Sequence, residues 1–293
     1  MVLRLAIYDA PHLKDAVQAV PVSESKHIMI VWCPEYFAVQ SVLQLRLPGG
    51  ENPTTLLKLL PNSFLIYEST DQFFNAVVEI SDLERVFCSA ATLDTVVFSQ
   101  SLEVSNGVND LGFLHARFNR PLVAVPCLGE EYSEEDHTIS MKIYGMFPES
   151  QVRSADVSQD PSLNPLPPVV TFLAPVFGQV MSTLEMNAMS VVVVVHAEEA
   201  FFSAGGGGGE GEGGEPPYKL TLTGVNGLKW TRGDVRRRPV RFEIPMANFE
   251  VKPGAQLSTE VSLYKRSGEV TLVWFKLDPA LTCLRGDLIH YFY

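Results

Sequence analysis

Leu5-Ala6-Ile7-Tyr8-Asp9-Ala10-Pro11-His12-Leu13 recurs as Val169-Val170-Thr171-Phe172-Leu173-Ala174-Pro175-Val176-Phe177, with the Ala-Pro pair displaced by 164 positions. In each copy an apolar run meets a proline. Proline suits the first turn of a helix, where its missing N–H has no partner to lose. Both stretches therefore read as a strand running into a helix. A second junction, Val78-Glu79-Ile80, recurs as Phe242-Glu243-Ile244 at the same offset of 164. Two junctions with one offset predict a duplicated module and a pseudo-symmetric scaffold.

Strand signals dominate the rest: short runs rich in Val, Ile, Phe and Tyr. In the first half they fall at 3–8, 27–33, 36–47, 64–67, 76–80, 95–99, 113–118, 122–127 and 138–144, with helices at 11–20 and 81–91. Ser81-Asp82 reads as the cap of the second helix. In the second half the strands fall at 169–173, 189–196, 200–204, 218–223, 240–244, 261–265, 270–277 and 288–293, with helices at 175–187 and 246–250. Each half thus predicts two helices and a large antiparallel sheet, an α+β class. The stretch 47–61 reads as an insert in the first sheet. Pro148, Pro161, Pro165, Pro167 and Pro168 make 147–168 an extended, partly stiff connector. The domains are accordingly 1–146 and 169–293. Residues 205–215, eight glycines and three glutamates, read as a flexible acidic hairpin tip.

With 293 residues, 46% hydrophobic and 19% charged, each half can bury a core. The longest apolar run, around Val191 to Val195, is far short of the roughly 20 residues that span a bilayer. No signal peptide is expected and no membrane partner. Cys33, Cys88, Cys127 and Cys283 are far apart in apolar surroundings, so reduced thiols in the cytosol or nucleus are expected. The net charge of −12 excludes nucleic-acid binding through the average field.

The chain offers little chemistry. The glycine tract lacks a following Gly-Lys-Ser/Thr, and its glutamates would repel phosphate. His12, His27, His115, His137, His196 and His290 show no ligand spacing, and no Gly-x-Ser-x-Gly elbow is present. The acidic run Glu130, Glu131, Glu134, Glu135 and Asp136 reads as a solvated turn before it reads as a cation site. Arg236-Arg237-Arg238, the densest basic cluster, is either a solvated turn or a contact to phosphate or an acidic partner. No enzyme, metal or cofactor is expected.

Several motifs resemble the PCNA family of sliding clamps. Ala200-Phe201-Phe202-Ser203-Ala204-Gly205 followed by Lys219-Leu220-Thr221-Leu222 resembles that family's edge hairpin. Pro239-Val240-Arg241-Phe242-Glu243-Ile244 resembles the strand before its last helix. The closing run Leu288-Ile289-His290-Tyr291-Phe292-Tyr293 resembles its terminal strand, and Thr138-Ile139-Ser140-Met141-Lys142-Ile143 the last strand of its first domain. Three details are most similar to the Hus-type subunit of the heterotrimeric DNA-damage checkpoint clamp. They are Leu3-Arg4-Leu5-Ala6-Ile7 at the start, the Phe73-Phe74 pair, and an aromatic last strand with little tail.

The resemblance implies two tandem PCNA-like domains, sheets outside and helices inside, in a non-catalytic nuclear ring subunit. The ring would contain two other clamp-like subunits, encircle double-stranded DNA, be opened by a clamp loader, and tether peptide motifs of repair and signalling proteins. Lys14, Arg85 and Lys252 would face DNA. Met146, Phe147, Leu163 and Leu166 would line a groove beneath the connector. Met141, Ile143, Leu220 and Leu222 would lie on the subunit-edge strands. The helices also carry Asp15, Asp82, Glu84, Glu185 and Glu250, unlike a strongly basic lining. The alternatives are a replicative sliding clamp, a monomeric DNA polymerase processivity factor of the same fold, or an unrelated β-rich enzyme or capsid-like protein.

Overall fold

The computed structural model describes residues 2–20, 26–41, 55–91, 94–101, 111–119, 137–155, 167–185, 189–205, 219–236, 238–246, 249, 251–265 and 271–292. The first half runs β1 (Val2–Ile7), α1 (Ala10–Gln18), β2 (His27–Cys33), β3 (Tyr36–Ser41), β4 (Thr55–Leu59), β5 (Phe64–Ser69), β6 (Phe74–Glu79), α2 (Ile80–Ser89), β7 (Thr95–Ser101), β8 (Phe113–Asn119) and β9 (His137–Lys142). A short helix follows, α3 (Glu149–Ala155). The second half repeats the order: β10 (Val170–Leu173), α4 (Ala174–Glu185), β11 (Ser190–Val195), β12 (Glu199–Gly205), β13 (Lys219–Thr223), β14 (Leu228–Thr231), β15 (Val240–Pro245), α5 (Val251–Leu257), β16 (Glu260–Lys265), β17 (Thr271–Leu277) and β18 (Gly286–Phe292). The two helix-starting Ala-Pro pairs are where the repeat placed them.

The sheets repeat too. The first half contributes a five-stranded sheet, β5-β1-β7-β8-β9, and the second half a four-stranded one, β13-β12-β11-β15. Their counterparts, β14-β10-β16-β17-β18 and β4-β3-β2-β6, are fused edge to edge into one nine-stranded sheet through β18 and β4. That seam sets Leu288 opposite Leu57, His290 opposite Thr55 and Asp287 opposite Lys58. Gly286 permits it. Its φ is +152°, and a Cβ there would stand 1.8 Å from the Lys58 carbonyl oxygen. The halves are also tied by the Ser63 hydroxyl, which donates to Arg285 O and accepts from Arg285 N, and by Cys283 N donating to Asp9 Oδ2.

Each helix lays an apolar face on its sheet: Leu13 and Val17 from α1, Leu83, Val86 and Phe87 from α2, Phe177, Met181 and Leu184 from α4, Ala255 and Leu257 from α5. Helices α1 and α2 pack together, α4 and α5 pack together, and α1 meets α5 across the halves, so the four form one layer. Gly178 lets α4 approach α5, since a Cβ there would stand 2.6 Å from that of Ala255. Behind the nine-stranded sheet lies a second apolar cluster built from both halves. It joins Met29, Val31, Tyr36, Leu56 and Val77 to Leu272, Ile289 and Tyr291, and Val152 of α3 caps it.

Several expectations are corrected. The supposed insert at 47–61 contains β4, the seam strand itself. Its residues are buried on both faces, so Thr55-Leu56-Leu57-Lys58-Leu59 shows none of the alternation that marks a half-exposed strand. Among the described residues each half has five strands between its helices rather than four, the short β14 being the additional one in the second half. The last helix begins at Val251, not Met246. Pro253 is tolerated only in a first turn, so the helix cannot start much earlier. Helix α2 starts at Ile80 without a side-chain cap, and the Ser81 hydroxyl donates to Glu79 Oε1 instead. The connector is partly helical rather than wholly extended. The expected strand at 122–127 and the far end of the one at 36–47 lie outside the described residues. Among the described residues no helix is long and apolar enough to cross a membrane.

Candidate functional site

Lys14 is half-buried on α1, and Lys252 is exposed in the first turn of the adjacent α5. Arg85 is exposed on α2, but its guanidinium lies 3.6 Å from Asp82 of the same helix. The remaining exposed positions of the layer include Asp15, Gln18, Gln179, Ser182, Glu185 and Gln256. The fold therefore gathers the three expected DNA-facing residues on one helix layer. It surrounds them with neutral and acidic groups.

At the connector, Met146 and Phe147 part company. Met146 packs against the main core, and its sulfur accepts from Gln100 Nε2 at 3.8 Å. Phe147 packs on the second cluster behind the sheet. The chain is held there by a residue the sequence did not single out. Buried Asn75 on β6 donates from Nδ2 to Phe147 O (2.8 Å) and accepts from Phe147 N at Oδ1 (2.7 Å). Just before it, Val77 N donates to Gly145 O and Tyr144 N to Val77 O, both at 2.8 Å. The outer edge of β6 is thus closed by the connector. An asparagine that replaces a missing strand leaves no periodic signature, so only the fold reveals it. Leu163 and Leu166 lie outside the described residues.

The edge strands are free among the described residues: β9 ends the five-stranded sheet and β13 the four-stranded one. Met141, Ile143 and Leu222 are buried within their own halves, while Leu220 is half-buried. What the edges offer a partner is backbone, Leu220, and an outward row. That row is Thr138, Ser140 and Lys142 on β9, with Lys219 and Thr221 on β13. Lys219 Nζ stands over the Phe201 ring, 4.1 Å from its centre.

The titratable groups with displaced pKa values are structural. His290 on β18 is fully buried, and desolvation holds its pKa down to about 3. Its Nδ1 meets Thr55 Oγ1 at 3.1 Å across the seam. Burial pulls the Asp9 carboxyl upward, but hydrogen bonds from the His12 ring and from the amides of Cys283 and His12 outweigh it and leave it below its ordinary value. Burial, reinforced by Glu35, pushes the Cys33 thiol up to about 11. His115 spends both ring nitrogens on Ser101 and Ser140, at 2.7 and 2.8 Å. Among the described residues no cluster of three or more His, Cys, Asp or Glu could hold a metal. The acidic run at 130–136 lies outside them.

No protein-family model matches the chain, and no curated protein matches it. Solved structures do. The crystal structure of the PCNA2-PCNA3 complex from Sulfolobus tokodaii superposes with a TM-score of 0.60 at 12% identity, covering 98% of this chain and 98% of that one. The fold is thus a PCNA-like clamp fold over nearly the whole chain, two tandem clamp modules with antiparallel sheets and few helices.

Proposed function

We propose that this chain is a non-catalytic subunit of a heterotrimeric, ring-shaped DNA clamp that acts in DNA-damage checkpoint signalling and repair in the nucleus. The observation that carries this reading is topological. The free strands β9 and β13 are the pseudo-symmetric counterparts of β18 and β4, which already pair inside the chain. One subunit's β9 joined to the next subunit's β13 would repeat that seam between molecules, and a heterologous contact of this kind closes into a ring when the rotation fits. The superposed relative is itself a complex of two differently numbered clamp chains. That supports unlike neighbours here. The sparse cations of the helix layer favour a ring that is placed on DNA by a loader over a processivity factor that grips duplex alone. Client peptides would dock behind the sheet beside Phe147 and the connector.

Affinity purification of the tagged chain from its native cells tests this. Two other clamp-like chains should co-purify, and Leu220→Asp, on a half-buried edge position, should release at least one of them while the isolated chain stays folded with a melting temperature only a few degrees lower. A stable symmetric homotrimer of the purified chain would favour the replicative-clamp alternative. A chain that never meets clamp-like partners would overturn both.

A further inference from the structure

We propose that a basic ridge at one end of the second half, away from the helix layer, binds the phosphate backbone of DNA. Strands β14, β10 and β16 meet there by pairing, since Val170 lies opposite both Thr231 and Leu263. Arg232 follows β14, with its amide donating to Val169 O at 2.9 Å. A 3₁₀ turn, Gly233–Arg236, comes next and ends in Arg236; Arg238 lies just before β15 and Arg241 on it. Lys265 closes β16 and donates from Nζ to Arg241 O at 2.7 Å, which brings a cation from a distant part of the sequence to the same place.

Two features separate this ridge from an ordinary solvated turn. It is anchored: Val235, in the middle of the arginine-bearing segment, is 2% exposed and packs in the core. It is also under-neutralised. Asp234 is spent on Arg232 at 2.7 Å, and Glu243 stands 4.0 Å from Arg241. Among the described residues Arg236, Arg238 and Lys265 are exposed and have no carboxylate partner. In a chain of net charge −12 these cations form a local basic surface. The helix layer, with Asp82 against Arg85 and Asp15 beside Lys14, does not form one. Guanidinium forks on a fixed backbone match phosphate oxygens, and binding through them releases counterions. The choice of DNA over another polyanion rests on the clamp reading above.

The test is fluorescence anisotropy with a short labelled duplex and the purified full chain over a salt series. Three to four phosphate contacts give a log–log salt slope of about −3. Arg236→Ala/Arg238→Ala/Lys265→Ala should weaken binding by about tenfold or more at low salt and flatten the slope towards zero. Arg236→Glu/Arg238→Glu, which keeps the Lys265 bond to Arg241, should do the same with an unchanged melting temperature. Lys14→Ala/Arg85→Ala/Lys252→Ala should change affinity less than about twofold. Loss of binding in the helix-layer variant alone, undiminished binding by the ridge variants, or no binding by the wild type would overturn the proposal. A poly-glutamate peptide that binds the ridge more tightly than duplex at equal salt would overturn it in favour of an acidic protein partner. A short linear duplex needs no ring, so these results stand apart from whether the clamp partners co-purify.

Discussion

The two halves of this molecule contain the same seam twice, once made and once left open. Inside the chain β18 meets β4 with apolar residues on both faces: Leu288 and Leu57 turn towards the helices, while Ile289 and Leu56 turn into the second cluster. Its outward charges are matched, Asp287 opposite Lys58, and the connector helix lies over the same cluster through Val152. The open counterparts are apolar on one face only. Thr138, Ser140 and Lys142 occupy the outward face of β9, and Lys219 and Thr221 that of β13. A seam that buries both faces behaves as core, whereas one that buries a single face behaves as a separable interface. A ring built from such subunits would part between subunits and leave the chain intact.

The harshest way to break that contrast is Gly286→Val. The new side chain would meet the Lys58 carbonyl at a φ that β-branched residues avoid. The strand must leave its partner or the seam must shift, at a cost of about 4 kcal/mol or more. Thermal unfolding should begin about 10 °C lower, with hydrogen exchange rising first at β4 and β18 rather than at β9. A melt within two degrees or so of the wild type would show that the seam is softer than its geometry implies.

Leu57→Ala and Leu220→Ala sharpen the same contrast. Leu57 is fully buried in the closed seam, and its truncation should cost about 2–5 kcal/mol in urea unfolding. Leu220, half-buried on the open edge, should cost the isolated chain less than about 1 kcal/mol. Equal losses would mean that β13 is already covered in the isolated chain.

Acid should act on the closed seam. The folded pKa of His290 is depressed to about 3 from an ordinary 6.5, so the folded imidazole stays neutral where the unfolded one binds a proton. Its contribution is intact above 6.5 and falls away as the pH drops towards 3, by about 1.4 kcal/mol per unit. Between pH 7 and 5 the chain should lose about 2 kcal/mol by urea titration. His290→Leu should flatten that fall. An equally steep fall in the variant would assign the proton uptake elsewhere. Asp9, also held low, adds its loss only at more acid pH.

The contrast also explains what the sequence could disclose. The Ala-Pro junctions and the strands β7, β8 and β16 were legible, because one of their faces meets solvent and alternation survives. Strand β4 was not: β2 and β3 are buried on both faces as well, but β4 is only five residues long, follows Pro48, Gly49, Gly50 and Pro53, and closes on β18, more than 200 positions away. Of the site, the cations of the helix layer and the acids set against them were legible as residue types, and the Asp82–Arg85 pair follows from its i,i+3 spacing on α2. Asn75 holds the connector through a pair of bonds that no spacing rule encodes. Arg236 and Arg238 were visible as a cluster. That Val235 anchors them and Lys265 joins them is a property of the packing alone.

The finest test compares two lysines in the same relation to an aromatic ring. Lys58 stands 4.6 Å from the centre of the Tyr36 ring within the closed seam, and Lys219 stands 4.1 Å from that of Phe201 on the open edge. Distance alone would rank Lys219 higher. Burial reverses the order. Lys58 is 9% exposed, so its ring contact and its register partner Asp287 act in a drier setting, and its stem is packed in the sheet. Lys219 is exposed, and a solvated cation over a ring contributes about 0.5–1 kcal/mol at most. Lys219→Ala should therefore shift urea stability by less than about 1 kcal/mol, and Lys58→Ala by clearly more. A double variant in which the two losses simply add would be expected of independent sites. If Lys219→Ala proves the costlier change, the outer face of β13 is better covered than that of an open edge, and the asymmetry between the closed and open seams would have to be redrawn.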